Sequence, residues 1–269
     1  MKKSILLLTS LCVFAFVFLA ACFGGGGASF KDTAAAGNAA LKELAQDNNG
    51  CVDNNPETHF CDTRDNKKYK IVKIGDQTWM ARNLNYNAEG SYCYDNEPKK
   101  CNIYGRLYNW ETAMAVCPEG WHLPSNAEWD SLLSFVDNSY GSISKGQTKM
   151  SKEASRYLKA KFAWAATGTT DAYGSMALGT DDYGFMALPG GGGGFNNAGN
   201  ASFTGNGLAG LWWAASEHDA QNAYYCGITG TTGTSQYEGV ALPKDARDVA
   251  ICGMPILKIG LLSVRCIQD

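Results

Sequence analysis

Apolar positions along the chain change period from segment to segment, and each change predicts an element. Tyr69 to Ile74 (YKIVKI) has the β-branched and aromatic content of a strand, and Gln77 to Tyr86 (QTWMARNLNY) follows as its hairpin partner across Gly75-Asp76. Gly in a two-residue turn supplies positive φ. Asn109 to Val116 (NWETAMAV) reads as a helix, with Glu111 at the positive end of its dipole. Ser125-Asn126-Ala127-Glu128 is a capping-box pattern, after which Trp129, Leu132, Leu133 and Val136 recur at helical spacing on one face. A third helix is predicted over Lys152 to Lys161, with Ala154, Tyr157, Leu158 and Phe162 apolar. Beyond it the chain turns Gly-rich and strand-like. The best strands are Tyr183 to Leu188, Leu211 to Ser216, Asn222 to Ile228 and Leu261 to Ile267. Helices early and short strands late predict an α+β domain with long loops.

Thr170 to Gly179 (TDAYGSMALG) is followed directly by Thr180 to Pro189 (TDDYGFMALP), a near duplication. Two copies make no solenoid. The first reads as an inserted loop and the second as the structural strand, because the second leads into the Pro189 to Gly194 turn. The run Gly190 to Gly194 lacks a following Gly-Lys-Ser/Thr, so it reads as a flexible or tightly turning loop and not as a phosphate loop. The 269 residues, 45% hydrophobic and 18% charged, exclude a fibrous or wholly disordered chain. No Pro-rich or charge-block boundary interrupts 51–269, which is taken as one domain.

The first residues follow a different pattern. Lys2 and Lys3 precede an apolar run from Ile5 to Ala21, broken by Thr9 and Ser10 and ending in Leu19-Ala20-Ala21-Cys22. The run is short for a membrane span and has the flanks of a signal peptide. Leu-Ala-Ala-Cys resembles a bacterial lipoprotein box, which implies cleavage of 1–21 and a diacylglyceryl group on Cys22. The alternatives are an ordinary secretory peptide with an incidental Cys, and an uncleaved membrane helix. A multi-chain lipid anchor holds a protein on a membrane without a span. Residue 24 is Gly, not Asp, which by resemblance to enterobacterial lipoproteins implies the outer membrane. Residues 22–50, opening with Gly24 to Gly27, read as a Gly/Ala-rich tether reaching about 30 Å, with a weak helix over Thr33 to Gln46. Loss of Lys2 and Lys3 leaves 21 basic against 26 acidic residues, a net charge near −5, which argues against a nucleic-acid partner.

Ten cysteines suit an oxidising compartment. Setting aside Cys12 and Cys22 leaves Cys51, Cys61, Cys93, Cys101, Cys117, Cys226, Cys252 and Cys266, and eight allow 105 connectivities. Loop statistics favour Cys51 with Cys61 and Cys93 with Cys101. The most economical arrangement of the rest is Cys226 with Cys252 and Cys117 with Cys266. Zinc on Cys51, His59 and Cys61 is the rival reading, but CxxC pairs are missing. His122 beside Trp121 reads as a packed, hydrogen-bonded residue. Ser216-Glu217-His218-Asp219 holds the letters of a triad, yet neighbours on a strand or loop point apart, and no GxSxG elbow is present.

The assembled segments carry a signature. Val72 to Tyr86, Gly105 to Trp110 (GRLYNW), Cys117 to Trp129 (CPEGWHLPSNAEW), Thr180 to Phe185 with Ala187 to Gly191, and Ser263 to Asp269 (SVRCIQD) resemble the Fibrobacter succinogenes major paralogous domain. The likeness runs from about Asp65 to Asp269. It departs at Trp212 to Glu217 (WWAASE) and at the duplicated decamer, and Cys226 and Cys252 look like additions to the family's cysteine set. The Leu-Pro-Ser-x-Ala-Glu-Trp helix start and the closing Val-Arg-Cys also resemble the formylglycine-generating, sulfatase-modifying fold, a relative of C-type lectin-like domains. That resemblance implies two or three helices on a small twisted antiparallel sheet with long loops. The close cysteine pair of those enzymes is not matched here, so no catalytic residue is carried over.

A fold confers no function by itself. The expected role is an outer-surface lipoprotein that binds polysaccharide or an envelope partner, because aromatic faces stack on sugars while Asp and Asn take hydroxyls. Trp212, Trp213, Tyr224, Tyr225, Asp181 and Asp182 are the candidate contacts. The alternatives are a structural envelope protein without a small ligand and a formylglycine-generating-like enzyme. No cofactor is expected. Calcium is a weak candidate at Asp181-Asp182 and Asp245 to Asp248, which lack EF-hand spacing.

Overall fold

A computed structural model describes residues 37, 39–42, 50–51, 55–141, 143–145, 148–164, 179–230 and 248–269. The export segment 1–21, Cys22, most of the tether 22–50, the first decamer copy up to residue 178 and Asp245 lie outside the described residues. Within the tether, residues 39–42 are helical. No described helix is long and apolar enough to cross a membrane.

The domain begins with β1 (His59–Asp62), β2 (Lys67–Ile74) and β3 (Gln77–Met80). β2 and β3 are antiparallel with Ile74 opposite Gln77, so Gly75-Asp76 is the two-residue turn, with Gly75 at φ 60°. β3 ends at Met80 and does not run on to Tyr86. The following backbone instead bonds the last segment of the chain, Met80 N to Cys266 O at 3.1 Å and Leu84 N to Val264 O at 2.8 Å. Helix α1 (Pro98–Tyr104), which the apolar pattern did not predict, starts on Pro98. β4 (Leu107–Tyr108) precedes α2 (Trp110–Val116), whose N-cap Asn109 accepts from Thr112 N. β5 (Trp121–His122) precedes α3 (Asn126–Val136), where the Ser125 and Glu128 capping box is complete and Trp129, Leu132, Leu133 and Val136 are the buried face. β6 (Ile143–Lys145), β7 (Thr148–Ser151) and α4 (Lys152–Leu158) follow.

Three sequence expectations fail in the second half, each for a backbone reason. Tyr183 to Leu188 is not a strand: Asp181 at φ 47° and Met186 at φ 52° break the extended chain, leaving one parallel bridge from Ala187 to Lys159. Gly190 to Gly194 is not a free loop. It enters β8 (Gly192–Phe195), paired with β9 (Ala201–Thr204). A Cβ on Gly193 would stand 2.6 Å from Ser202 O, so glycine here is what lets β9 approach. Leu261 to Ile267 is two strands in two sheets.

β10 (Ala209–Glu217), β11 (Asn222–Thr229) and β12 (Ala250–Leu257) form the centre of a seven-stranded sheet, completed by β13 (Leu262–Ser263). Its order is β4-β13-β10-β11-β12-β7-β6, antiparallel except for β10 beside β13. β14 (Ile267–Gln268) joins the other sheet, ordered β1-β2-β3-β14-β5. The expected single small sheet is thus two larger ones joined through Val264 to Cys266, and the domain is α+β with few helices. Side chains alternate along the central strands into two apolar clusters. Leu211, Trp213, Tyr225 and Ile251 enter one, and Trp212, Ala214, Cys226 and Cys252 the other. A sheet covered on both faces buries nearly continuous runs of its strands.

Four disulfides close the frame: Cys51–Cys61, Cys93–Cys101, Cys117–Cys266 and Cys226–Cys252. Beside the junction of the sheets, Arg265 is fully buried. Its Nε and Nη2 donate to Asn83 Oδ1 at 3.1 and 2.6 Å, and its Nη1 donates to Phe185 O. Trp212 Nε1 donates to the same Asn83 oxygen at 2.7 Å. The guanidinium lies 4.3 Å over the Phe185 ring. Burial pulls its pKa down to about 9, so it stays charged at neutral pH, partly held by the field of Asp181.

Candidate functional site

The aromatic residues singled out on the strands are mostly interior. Trp212 is 1% exposed, Trp213 and Tyr225 are 0% exposed, and Trp213 Nε1 is satisfied by Tyr108 O at 2.7 Å. Their strands are central and covered on both faces, so these rings build the core and present no face to a ligand. Tyr224 is half-buried and meets His218 edge-on at 5.1 Å. Asp181 and Asp182 do not act together. Asp181 is half-buried, its Oδ1 accepts Met186 N at 2.7 Å, and burial raises its pKa. Asp182 is exposed. Asp248 is bonded to the buried Lys159. Among the described residues, no three His, Cys, Asp or Glu side chains converge as metal ligands.

Each of the three histidines is held by a hydrogen bond. His122 stands between Glu128 Oε1 at 2.8 Å and Asp269 Oδ1 at 2.6 Å. Ser125 Oγ donates to Glu128 and not to His122, so these two do not form a nucleophile–base pair. His218 pairs with Asp219 at 2.8 Å, and Asp219 also receives the backbone N–H groups of Gln221 and Asn222 in the β10–β11 turn. His59 meets Thr58 Oγ1 at 2.9 Å, beside a cysteine pair that is oxidised.

A partly exposed aromatic row lies elsewhere, its two tyrosines packed by one side against the second apolar cluster. Phe135 falls off the buried stripe of α3 and is 54% exposed. Its ring rests on the β2–β3 turn, where a Cβ on Gly75 would stand 3.0 Å from Phe135 Cδ2. Ile74, Gly75, Asp76, Gln77, Ser131 and Phe135 line a shallow groove of about 470 Å³ there. Tyr183 stands edge-on to Phe135, with centroids 6.1 Å apart, and Tyr157 of α4 stands edge-on to Tyr183 at 6.4 Å. Both tyrosines are half-buried. Backbone bonds fix this row: Thr180 N to Arg156 O at 2.9 Å and Asp182 N to Tyr157 O at 3.0 Å hold the second decamer copy against α4. Asp76 lines the groove with Phe135, Asp182 precedes Tyr183 in the chain, and both are exposed. The field of Glu153 raises the Tyr157 hydroxyl pKa.

Edge-to-face rings together with exposed carboxylates offer π surface for C–H groups and acceptors for hydroxyls. Of the candidates read from sequence, Asp182 alone belongs to this row. Phe135, Tyr157 and Tyr183 were missed as contacts. For Phe135 a signal existed, because an aromatic residue off the 129, 132, 133 and 136 stripe has no core to enter. For Tyr183 none did, since its place beside Tyr157 is set by backbone bonds to α4 that are distant in the chain.

No curated protein and no solved structure matches this chain. The family model for the Fibrobacter succinogenes major domain matches residues 72–268, which takes in the β2–β3 turn, α3, both tyrosines and the closing strands. This chain therefore belongs to the Fibrobacter succinogenes major domain family.

Proposed function

We propose that the chain is a surface-exposed binding lipoprotein whose Phe135–Tyr183–Tyr157 row holds a polysaccharide. The carrying observation is the row itself: three partly exposed aromatic rings in edge contact, with Phe135 and exposed Asp76 lining one groove and exposed Asp182 next to Tyr183 in the chain. The lipid on Cys22 and the tether 22–50 belong to this reading and put the domain at the outer membrane. A non-catalytic role is favoured because all eight cysteines of the domain are spent in disulfides. Kinship with the C-type lectin-like and formylglycine-generating folds is part of the proposal. It is supported by the α+β layout and by the Leu-Pro-Ser-x-Ala-Glu-Trp segment that caps α3.

Retention of the full chain on insoluble cellulose and xylan tests the reading. Retention on either glycan that falls about tenfold in a Phe135→Ala/Tyr183→Ala variant, equivalent to about 1.4 kcal/mol, supports it. No retention on either glycan, or equal retention by the variant, overturns it and leaves a structural envelope role.

A further inference from the structure

The Cys93–Cys101 disulfide lies against a cation. Arg106 Nη1 stands 3.6 Å from Cys93 Sγ and 3.7 Å from Cys101 Sγ. The other two guanidinium nitrogens face neutral oxygens, Nε donating to Ser91 Oγ and Nη2 to Ser91 O, both at 2.8 Å. Among the described residues Arg106 makes no ion pair, so no carboxylate cancels its charge. A guanidinium beside a sulfur favours thiolate over thiol, and the more stable thiolate departs faster in exchange.

The remaining bridges have different surroundings. Cys51 Sγ lies 3.8 Å from the Lys67 carbonyl oxygen, which opposes negative charge on sulfur. Cys226, Cys252 and Cys266 belong to the two apolar clusters, where burial opposes a thiolate, whereas Cys93 and Cys101 belong to neither. Cys93–Cys101 also closes the shortest loop of the four, with a separation of 8, so its opening releases the least restraint on the chain.

That short loop grips the β8–β9 hairpin through Tyr94 and Lys100, which lie inside it. Asn206 N donates to Tyr94 Oη at 3.4 Å, and Lys100 Nζ donates to Asn206 Oδ1 at 2.8 Å. Asn206 closes the base of the hairpin, because its Nδ2 donates to Pro189 O at 3.1 Å and so joins the residues that follow β9 to those that precede β8. Rings extend the grip: Phe203 of β9 lies 5.4 Å from Tyr94, and Phe195 of β8 lies 5.8 Å from Tyr92, the neighbour of Cys93. β8 has a second hold in Gly193 N to Leu261 O at 2.8 Å, whereas β9 pairs with β8 alone.

We propose that Cys93–Cys101 is a reducible latch on this hairpin, opened by an external dithiol while Arg106 stabilises the departing sulfur. A thiolate of the dithiol attacks Cys93 Sγ, the residue with 9% exposure against 3% for Cys101. The S–S bond breaks and its electron pair leaves on Cys101 Sγ, beside Arg106 Nη1. The second sulfur of the dithiol, also as thiolate, then displaces Cys93 Sγ from the mixed disulfide. Two electrons have entered the pair, the dithiol has become a disulfide, and its two protons pass to solvent or to the two cysteines. Nη1 is nearly equidistant from both sulfurs and serves either departure. Opening unties Tyr94 from Lys100 and loosens β9.

Reduction of the native full chain by dithiothreitol, quenched by alkylation and read bridge by bridge from peptide masses, tests the chemistry. Cys93–Cys101 should open before Cys226–Cys252 and Cys117–Cys266, and about tenfold more slowly in Arg106→Gln than in the parent. Arg106→Lys keeps the charge and should recover most of the rate. Cys51–Cys61 is the internal control and should open at one rate in all three chains. An unchanged or faster Cys93–Cys101 rate in Arg106→Gln overturns the proposal, as does parallel slowing of Cys51–Cys61 or opening of Cys93–Cys101 only together with Cys226–Cys252. Hydrogen exchange tests the latch: in Cys93→Ser/Cys101→Ser the amides of 201–206 should exchange faster than in the parent, with β10 and β11 unchanged. Equal exchange in the two chains, or faster exchange throughout the domain, overturns it as well.

Discussion

Removing the Cys117–Cys266 disulfide should cost more stability than removing any of the other three. The bridge spans 149 residues, whereas Cys93–Cys101 spans 8. Restriction of the unfolded chain then contributes about 5 kcal/mol for the long loop and about 2.5 kcal/mol for the short one at 25 °C. Cys226–Cys252 lies inside the long loop and shortens its effective path by about 25 residues, a correction of only about 0.2 kcal/mol because the dependence is logarithmic. Replacing both partners by Ala also deletes sulfur from the interior. That cost is similar for the two pairs, since Cys266 is 0%, Cys101 3% and Cys93 9% exposed, and Cys117 is half-buried. The difference between Cys117→Ala/Cys266→Ala and Cys93→Ala/Cys101→Ala should therefore be about 2.5 kcal/mol, or roughly 5–10 °C in Tm for a domain of this size. Guanidinium unfolding of both double variants, with the remaining bridges verified by mass, measures it. Equal losses, or a larger loss for the short loop, would refute the chain-entropy argument and locate the stabilisation in native packing around the bridges.

Asn83→Ala removes the acceptor shared by Trp212 Nε1 and the buried Arg265, and should cost about 3–5 kcal/mol in denaturant unfolding. Gly105→Ala puts a Cβ 2.7 Å from Asn83 Cβ and 2.8 Å from Leu84 O at φ 77°, whereas Gly90→Ala at φ 72° meets nothing within 4 Å. Thermal denaturation should show about 1–2 kcal/mol of backbone strain at Gly90 and a clearly larger loss at Gly105. The His122 contacts predict a pH window. Burial pulls its pKa down, but bonds to Glu128 and Asp269 outweigh this and raise it. Its contribution is complete below the unfolded value near about 6.5 and is lost as pH rises through the folded pKa. Burial would raise Glu128, but bonds from Ser125 and His122 lower it. Its contribution holds above about 4.3 and is lost as pH falls through the folded value. His122→Gln should flatten the alkaline limb of a Tm-against-pH profile, by under about 1 kcal/mol because the pair is solvent-screened.

What the sequence disclosed was whatever depends on nearest neighbours along the chain. The α3 cap and stripe lie within twelve residues, Ser125 to Val136, and both are present. The Gly75-Asp76 turn and the Cys51–Cys61 and Cys93–Cys101 loops are equally local. The reading failed where a distant segment decides. Gly190 to Gly194 looks like a loop until β9 is placed against it, and Leu261 to Ile267 looks like one strand until two sheets compete for it. β12 went unread because AICGMPIL carries a glycine and a proline, although Pro255 is tolerated in the strand. Burial of Trp212 and Trp213 is legible in the sequence: Ala209 to Ala215 carries no charged, amide or hydroxyl side chain, and a strand with one wet face would alternate.

That burial sharpens the functional argument. Six of the seven tryptophans, Trp79, Trp121, Trp129, Trp164, Trp212 and Trp213, are buried, and the half-buried Trp110 donates Nε1 to Ala214 O at 2.9 Å. Their loss should disturb the core, so a binding defect in a Trp variant would not separate recognition from folding. Phe135, Tyr157 and Tyr183 sit on helices and a loop at the rim of that core, held by backbone bonds that survive truncation of their rings. Phe135→Ala and Tyr183→Ala should therefore leave Tm within a few degrees of the parent while changing glycan retention. If either instead lowers Tm as much as a core Trp→Ala does, the row is packing surface, and the case for recognition there fails.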